Sequence, residues 1–257
     1  MTQVHPSAVV DSKARLGADV EIGPYSVIGP GVEIRRGTRV MAHAVIDGHT
    51  TLGEECCIFP FASIGTRSQD LKYTGGKTFV SVGDRTTLRE YVTVNAGTSE
   101  GETTRIGNDC LIMAYAHVAH TCNVGHEVIM ANCATLGGHI VVEDQAILGG
   151  LSAVHQFVRV GRMCMVGGCT KVTQDCTPFM IVDGRPARVP GPNRIGLQRR
   201  GVSDDARRTL KQAYRLLYRT GLSTRQALER IEADLNPCDE LRHLCAFIRE
   251  SRRGIVR

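Results

Sequence analysis

Aliphatic residues recur at every sixth position through the first two thirds of the chain. Counting from Val4, the anchors run Val10, Leu16, Ile22, Ile28, Ile34, Val40, Ile46, Leu52, Ile58 and Ile64, resume at Val82, Leu88 and Val94, and continue from Ile106 to Val172. Met130 alone among them is not Val, Ile or Leu. Two positions before the anchor stands a small or β-branched residue, as in Ala8, Ser26, Thr38, Ala44, Ala62, Val92, Cys110, Ala116, Cys122, Ala134 and Ser152. Six is neither the helical period nor the two-residue alternation of a simple strand, so each hexad is one short strand and a corner. Repeats of this kind build a parallel β-helix, in which three hexads close one triangular coil and the anchors bury themselves against the coils above and below. Pairs such as Gly23-Pro24, Gly29-Pro30, Asp47-Gly48 and Gly149-Gly150 stand beside the anchors, where corners are expected to need tight backbone geometry.

Two interruptions, 70–81 and 100–105, are each a multiple of six long and leave the phase unchanged. They read as loops that leave the shaft and return to it. The first carries Asp70, Lys72, Tyr73, Gly75, Gly76 and Lys77, a mix suited to reaching over a neighbour, and long loops on rigid scaffolds usually bind something. After Val172 the repeat fades, and Pro178, Pro186, Pro190 and Pro192 mark a connector. Ser203 reads as a helix cap followed by Asp204 and Asp205, with Ala206, Leu210, Ala213, Tyr214 and Leu217 on one face and Gly221 as the stop. Two further helices are expected, from about Thr224 to Leu235 and from about Asp239 to Arg252, split by Pro237. The expected division is a mainly β unit, 1–185, and a connector with a helical domain, 186–257.

Composition narrows the setting. No apolar run is long enough to span a membrane, and Met1 to Val10 lacks the basic start and apolar stretch of a signal peptide, so a cytoplasmic protein without an integral membrane segment is expected. The chain holds ten cysteines, of which Cys56, Cys110, Cys122, Cys164 and Cys176 occupy the small slot of their hexads; they act as compact apolar fillers and show no paired metal-ligand spacing. Reduced thiols and no bound metal are expected. Residues 1–185 hold 15 Lys plus Arg against 18 Asp plus Glu, whereas 186–257 hold 16 against 8, so the tail is basic and suits an acidic partner. Few aromatics and no recognised binding module in the tail argue against nucleic acid.

Candidate chemistry lies in a column of histidines. The hexads after Val118, Leu136 and Val154 fall on one face of successive coils and contain His120, His139 and His155, with His117 just before them. Coils stack about 4.8 Å apart, so these four imidazoles are expected to cluster on the outside of the shaft. Imidazole is the group suited to proton transfer near neutral pH, and Gly137 and Gly138 offer backbone N–H groups to an oxyanion. The grouping points to acyl transfer, and the absence of a Gly-x-Ser-x-Gly or activated-cysteine pattern points to direct transfer with a histidine base and no covalent enzyme intermediate. His5, His43, His49 and His243 are expected as solvated side chains.

Five segments carry a closer likeness: Gln69-Asp70-Leu71-Lys72-Tyr73, Ala116-His117-Val118-Ala119-His120, Gly137-Gly138-His139, Ala153-Val154-His155-Gln156-Phe157 and Gly196-Leu197-Gln198-Arg199-Arg200-Gly201. In this order, with the closing Ser251-Arg252-Arg253-Gly254, they resemble the UDP-N-acetylglucosamine acyltransferases of lipid A biosynthesis. The resemblance implies a homotrimer of left-handed β-helices that moves an (R)-3-hydroxyacyl group from acyl carrier protein to the glucosamine 3-hydroxyl of UDP-N-acetylglucosamine. It implies no cofactor beyond the phosphopantetheine-linked acyl group of that carrier. By motif, His120 matches the general base and the backbone of Gly138 the oxyanion donor. Gln69, Asp70 and Lys72 match the loop that holds the sugar nucleotide across a subunit boundary, and His117, His139, His155 and Gln156 match substrate-binding positions. Asn193, Arg199 and Arg200 match nucleotide contacts, Arg200 suiting a diphosphate because guanidinium pairs two oxygens. Gly168 matches the acyl-chain ruler, where a glycine leaves room for a longer chain. The basic tail suits an acidic carrier protein through electrostatic steering.

Two positions depart from the family pattern. Ile195 stands where relatives often carry a carboxylate on the nucleoside, and Asn95-Ala96-Gly97-Thr98 where they often read His-Arg-Gly-Thr, which leaves the acceptor open between a hydroxyl and an amine sugar. Other readings are a related hexapeptide N-acyl- or acetyltransferase, a β-helical zinc enzyme with His117, His120 or His139 as ligands, and a non-catalytic β-helical scaffold.

Overall fold

Each hexad forms a two-residue strand that ends on its anchor, as in Glu21–Ile22, Val27–Ile28 and Glu33–Ile34. Every third strand pairs in parallel with the next of its kind: Gln3 lies opposite Glu21, Val9 opposite Val27 and Arg15 opposite Glu33. The computed structural model, covering residues 1–257, is therefore a parallel β-helix, consistent with the left-handed form the resemblance implies, whose faces are sheets of eleven, nine and eight strands. The anchors from Ile22 onward are buried, whereas Val4, Val10 and Leu16 are not, because no coil precedes the first one.

At the corners the division of labour differs from the expected one. Nineteen non-glycine residues adopt the left-handed conformation, among them Tyr25, Glu127 and His139, each directly before an interior slot residue such as Ser26. The glycines after the anchors mostly do not. A Cβ on Gly23 would lie 2.9 Å from the backbone of Met41 and Ala42, and one on Gly149 2.6 Å from the Gly168 nitrogen. These glycines let successive coils approach; the bends are made by their neighbours. Gly65, directly after Ile64, is an exception, with φ +82°.

Both excursions start and end within a few residues of the expected limits. Phe79–Val82 and Thr103–Ile106 are strands, so Phe79, Val80 and Ser81 and likewise Thr103, Thr104 and Arg105 belong to the shaft and the loops occupy 67–78 and 96–102. The skipped phase is visible in the pairing: Ile58 faces Leu88 and Thr93 faces His117, longer steps than elsewhere. Each loop leaves the nine-stranded sheet, from Ser63–Thr66 or Thr93–Asn95, and re-enters the eight-stranded one. They share one corner of the prism.

The expected connector is not bare chain. Met180–Asp183 extends the eleven-stranded sheet and pairs antiparallel with Arg188–Pro192, after which a short helix, α1 (Arg194–Arg199), was not anticipated. Then come α2 (Asp204–Tyr218), α3 (Thr224–Asp234) and α4 (Asp239–Glu250). Ser203 caps α2 by accepting from the Ala206 N–H, and Ala206, Leu210, Ala213, Tyr214 and Leu217 are its buried face. Arg159 fastens α4 to the shaft, its guanidinium 4.2 Å from the Phe247 ring centre and 3.3 Å from Glu250. His243 is not a solvated side chain: its Nε2 lies 2.7 Å from Glu143, edge-on to Phe179. No helix is long and apolar enough to cross a membrane. All ten cysteines are free, and burial pushes the Cys110 thiol up to about 11 and Cys122 up to about 12, which keeps them protonated fillers.

Candidate active site

His120 stands two residues past the Val118 anchor, on the corner from which both loops emerge. Contrary to the expectation of an outside position it is buried, at 7% exposure. Its ring meets His139 edge-on with centroids 5.0 Å apart, and His139 in turn stacks on Phe157 at 4.7 Å. His117 reaches the same cluster from the preceding strand, its Nδ1 2.7 Å from the Thr93 hydroxyl. The fourth imidazole is apart from these contacts: His155 is exposed, with Nδ1 3.5 Å from Arg253 at the end of the tail.

The backbone of Gly138 forms the floor under His120. A Cβ there would lie 2.3 Å from the imidazole Cε1 and Nε2, so only glycine lets the ring rest in this position. The Gly138 carbonyl accepts from Phe157 and the His120 carbonyl from His139, while the Gly138 N–H makes no hydrogen bond within the chain. An unengaged N–H next to an imidazole is the arrangement that binds a developing oxyanion while a base removes a proton.

Asp70 comes over this corner from the 67–78 loop and sets Oδ2 3.6 Å from His120 Nε2. Its other oxygen accepts from the Lys72 N–H at 2.9 Å, and Ser68 below it bonds Thr98 of the second loop at 2.7 Å. Gln69 and Lys72 are exposed on the same loop, as Gln156 is on its coil. Burial lowers the His120 pKa, aided by His139 and opposed by Asp70 and Glu102; burial likewise lowers that of His117. A lowered value keeps the ring neutral, the form able to accept a proton, across the neutral range. His120 Nδ1 is buried without a partner.

The remaining expected residues lie on other corners. Arg200 forms an ion pair with Glu127, at the corner between the eight- and eleven-stranded sheets, and Arg199 is exposed beside it. Asn193 is not a free amide: Oδ1 caps α1 by accepting from the Gly196 N–H at 3.1 Å, and Nδ2 donates to the Met163 carbonyl at 3.0 Å. Ile195 is exposed on α1. Gly168 lies exposed on the third corner, between the eleven- and nine-stranded sheets. One copy of the chain thus carries the histidines, the arginines and Gly168 on three separate edges.

Sequence reading missed Glu102 and Thr121. Glu102 Oε2 accepts from the Thr98 N–H at 3.0 Å, the Ser99 N–H at 2.9 Å and the Thr121 hydroxyl at 2.9 Å. The signal was available only as an acidic residue in the second excursion, which the phase returns to the histidine corner. No three His, Cys, Asp or Glu side chains converge as metal ligands would.

Residues 1–36 and 103–138 match the family described as bacterial transferase hexapeptide, and 175–256 match UDP-N-acetylglucosamine O-acyltransferase, domain 2. The fold is that of a hexapeptide-repeat transferase. Along its whole length the chain is 45% identical to an enzyme of Thermodesulfovibrio yellowstonii, covering all of it, and 99% of the chain is 46% identical to the full length of one from Syntrophobacter fumaroxidans; both are named acyl-[acyl-carrier-protein]–UDP-N-acetylglucosamine O-acyltransferase. The solved UDP-N-acetylglucosamine acyltransferase of Bacteroides fragilis superposes with a TM-score of 0.96 at 37% identity, over 98% of this chain and 99% of that one. The chain belongs to the acyl-[acyl-carrier-protein]–UDP-N-acetylglucosamine O-acyltransferase family.

Proposed function

We propose that this enzyme transfers an (R)-3-hydroxyacyl group from acyl carrier protein to the 3-hydroxyl of UDP-N-acetylglucosamine, the first step of lipid A biosynthesis, in the cytoplasm and without a covalent enzyme intermediate. The observation that carries the reading is the buried His120 imidazole lying on Gly138, whose N–H is unengaged. His120 takes the proton as the sugar oxygen attacks the thioester carbonyl, and the Gly138 N–H holds the oxyanion. Collapse breaks the carbon–sulfur bond, and the imidazolium returns its proton to the phosphopantetheine sulfur. Asp70, with Gln69 and Lys72, orients the acceptor at His120, while His117, His139, His155 and Gln156 shape the cleft. Burial holds the Cys110 and Cys122 thiols protonated, which leaves neither as a nucleophile.

The active unit is a homotrimer. Arginines for the diphosphate and histidines for the chemistry stand on different edges of one prism, so they serve one substrate only when an edge of one copy meets an edge of the next. Arg199 and Arg200 then face the nucleotide, Arg200 exchanging Glu127 for phosphate, and Asn193 acts by holding α1. Gly168 limits the far end of the acyl groove from its own edge. Most tail acids are paired to arginines along or between the helices, as in Arg225 with Glu229 and Arg230 with Asp234. Arg194 and Lys211, which have no carboxylate partner, line a depression with Arg208 and the Arg207–Asp204 pair, a basic patch that suits the acidic carrier protein.

Mass spectrometry of the purified protein with UDP-N-acetylglucosamine, its 3-amino analogue and a panel of hydroxyacyl carrier-protein thioesters tests the reading. Ester formation on the 3-hydroxyl that disappears in His120→Ala is the expected result; amide formation only on the amine sugar, or undiminished transfer in His120→Ala, contradicts it. In the same panel Gly168→Met is expected to shift preference towards shorter chains, and an unchanged preference rejects Gly168 as the ruler.

A further inference from the structure

Thr121, the residue after His120, is the only β-branched side chain among the nineteen non-glycine residues in the left-handed conformation, with φ +59°. Branching at Cβ makes that conformation costly, and such outliers persist only where the surroundings enforce them. Here two bonds do so: the Thr121 N–H donates to the Thr104 hydroxyl at 2.8 Å, and its own hydroxyl donates to Glu102 at 2.9 Å. Glu102 is itself fixed by the Thr98 and Ser99 N–H groups, and Thr98 bonds Ser68, two residues before Asp70. A continuous chain of hydrogen bonds therefore joins both loops to the residue next to the base.

Resting on the reading of His120 as general base, we propose that Glu102, acting through Thr121, is a positioning residue that locks the strained corner beside His120 and supplies the second carboxylate, after Asp70, that favours its imidazolium. A base buried at 7% exposure must become a cation in the transition state, and its Nδ1 has no hydrogen-bonded partner to share that charge. The charges that act on it are His139 and the neighbouring His117, both unfavourable, and Asp70 and Glu102, both favourable. Burial works to raise the Glu102 pKa, but the Ser99 N–H, the Thr121 hydroxyl, the Thr98 N–H and nearby His139 outweigh it, so the side chain is ionised at neutral pH.

Two variants and the pH profile test this. Glu102→Gln keeps an oxygen for Thr121, Thr98 and Ser99 but removes the charge. Thr121→Gly removes both the strain and the hydroxyl. In Glu102→Gln, kcat is expected to fall about tenfold with KM for either substrate little changed, and the acid limb of kcat/KM to move to lower pH, because losing a negative charge disfavours the imidazolium. Thr121→Gly is expected to melt no lower than the parent yet to turn over more slowly. An acid limb that stays in place in Glu102→Gln, or full turnover in Thr121→Gly, overturns the inference. His120→Ala is run alongside: its retention of activity would remove the base itself, an outcome separate from failure of Glu102 alone.

Discussion

Two edges of the same prism put side chains at the same backbone position and use them differently. Between the eleven- and nine-stranded sheets, the left-handed corner residues Tyr25, His43, Phe61, Tyr91 and Tyr115 stack face to face, with centroids 4.8–5.1 Å apart and planes within 16°. Between the nine- and eight-stranded sheets the same position holds Thr121, His139 and Phe157. There only His139 and Phe157 stack, and His120 meets His139 at 86°. The repeat supplies columns at coil spacing for nothing more than periodicity. Whether a column is only a structural ladder or also a candidate site depends on what interrupts it: two loops, a threonine and a bare glycine turn this one into a buried imidazole next to an unengaged N–H.

The strongest test of that contrast is His120→Ala, expected to lower the transfer rate by about 10²–10⁴-fold while leaving the melting temperature and assembly unchanged. Equal loss of assembly would favour the scaffold reading. Gly138→Ala keeps the backbone N–H but is expected to cost roughly 10²-fold in kcat, the lower end of general-base catalysis, because the added methyl displaces the imidazole. A crystal structure of that variant with His120 unmoved would break the argument. The acid limb of kcat/KM is expected below about 6.5, the ordinary imidazole value, since His120 is shifted down; Asp70→Asn should lower it further by removing a favourable charge. On the ladder edge, Phe61→Ala removes two stacks and is expected to destabilise by about 1–3 kcal/mol without altering kcat per folded enzyme, as measured by melting and assay together. A fall in kcat there would show that the two edges are not independent.

Much of this was legible in the sequence. The six-residue phase carried the fold because burial of Ile28, Leu52 or Val118 is periodic, and phase survives any loop whose length is a multiple of the repeat. It also placed His120 and His139 on one edge. What periodicity could not see was anything set by a single hydrogen bond: the burial of His120 beneath Asp70, the commitment of Asn193 to capping α1, the pairing of His243 with Glu143, and the Glu102–Thr121 contact. His155 shares the edge by spacing, yet it stands one residue after its anchor where His120 stands two after, and its ring lies towards Arg253. The antiparallel pair Met180–Asp183 and Arg188–Pro192 escaped notice because it abandons the repeat just where prolines signalled a connector.

Whether the histidine edge of one copy works with the arginine edge of another is settled most directly by complementation. Chains carrying His120→Ala and chains carrying Arg199→Ala with Arg200→Ala are each expected to be inactive alone. Co-assembled in equal amounts, they should regain activity approaching about a quarter of the parent's, because random mixing leaves that share of edge pairs intact. Mixed assemblies that remain as inactive as either variant would mean that each site is built within a single chain.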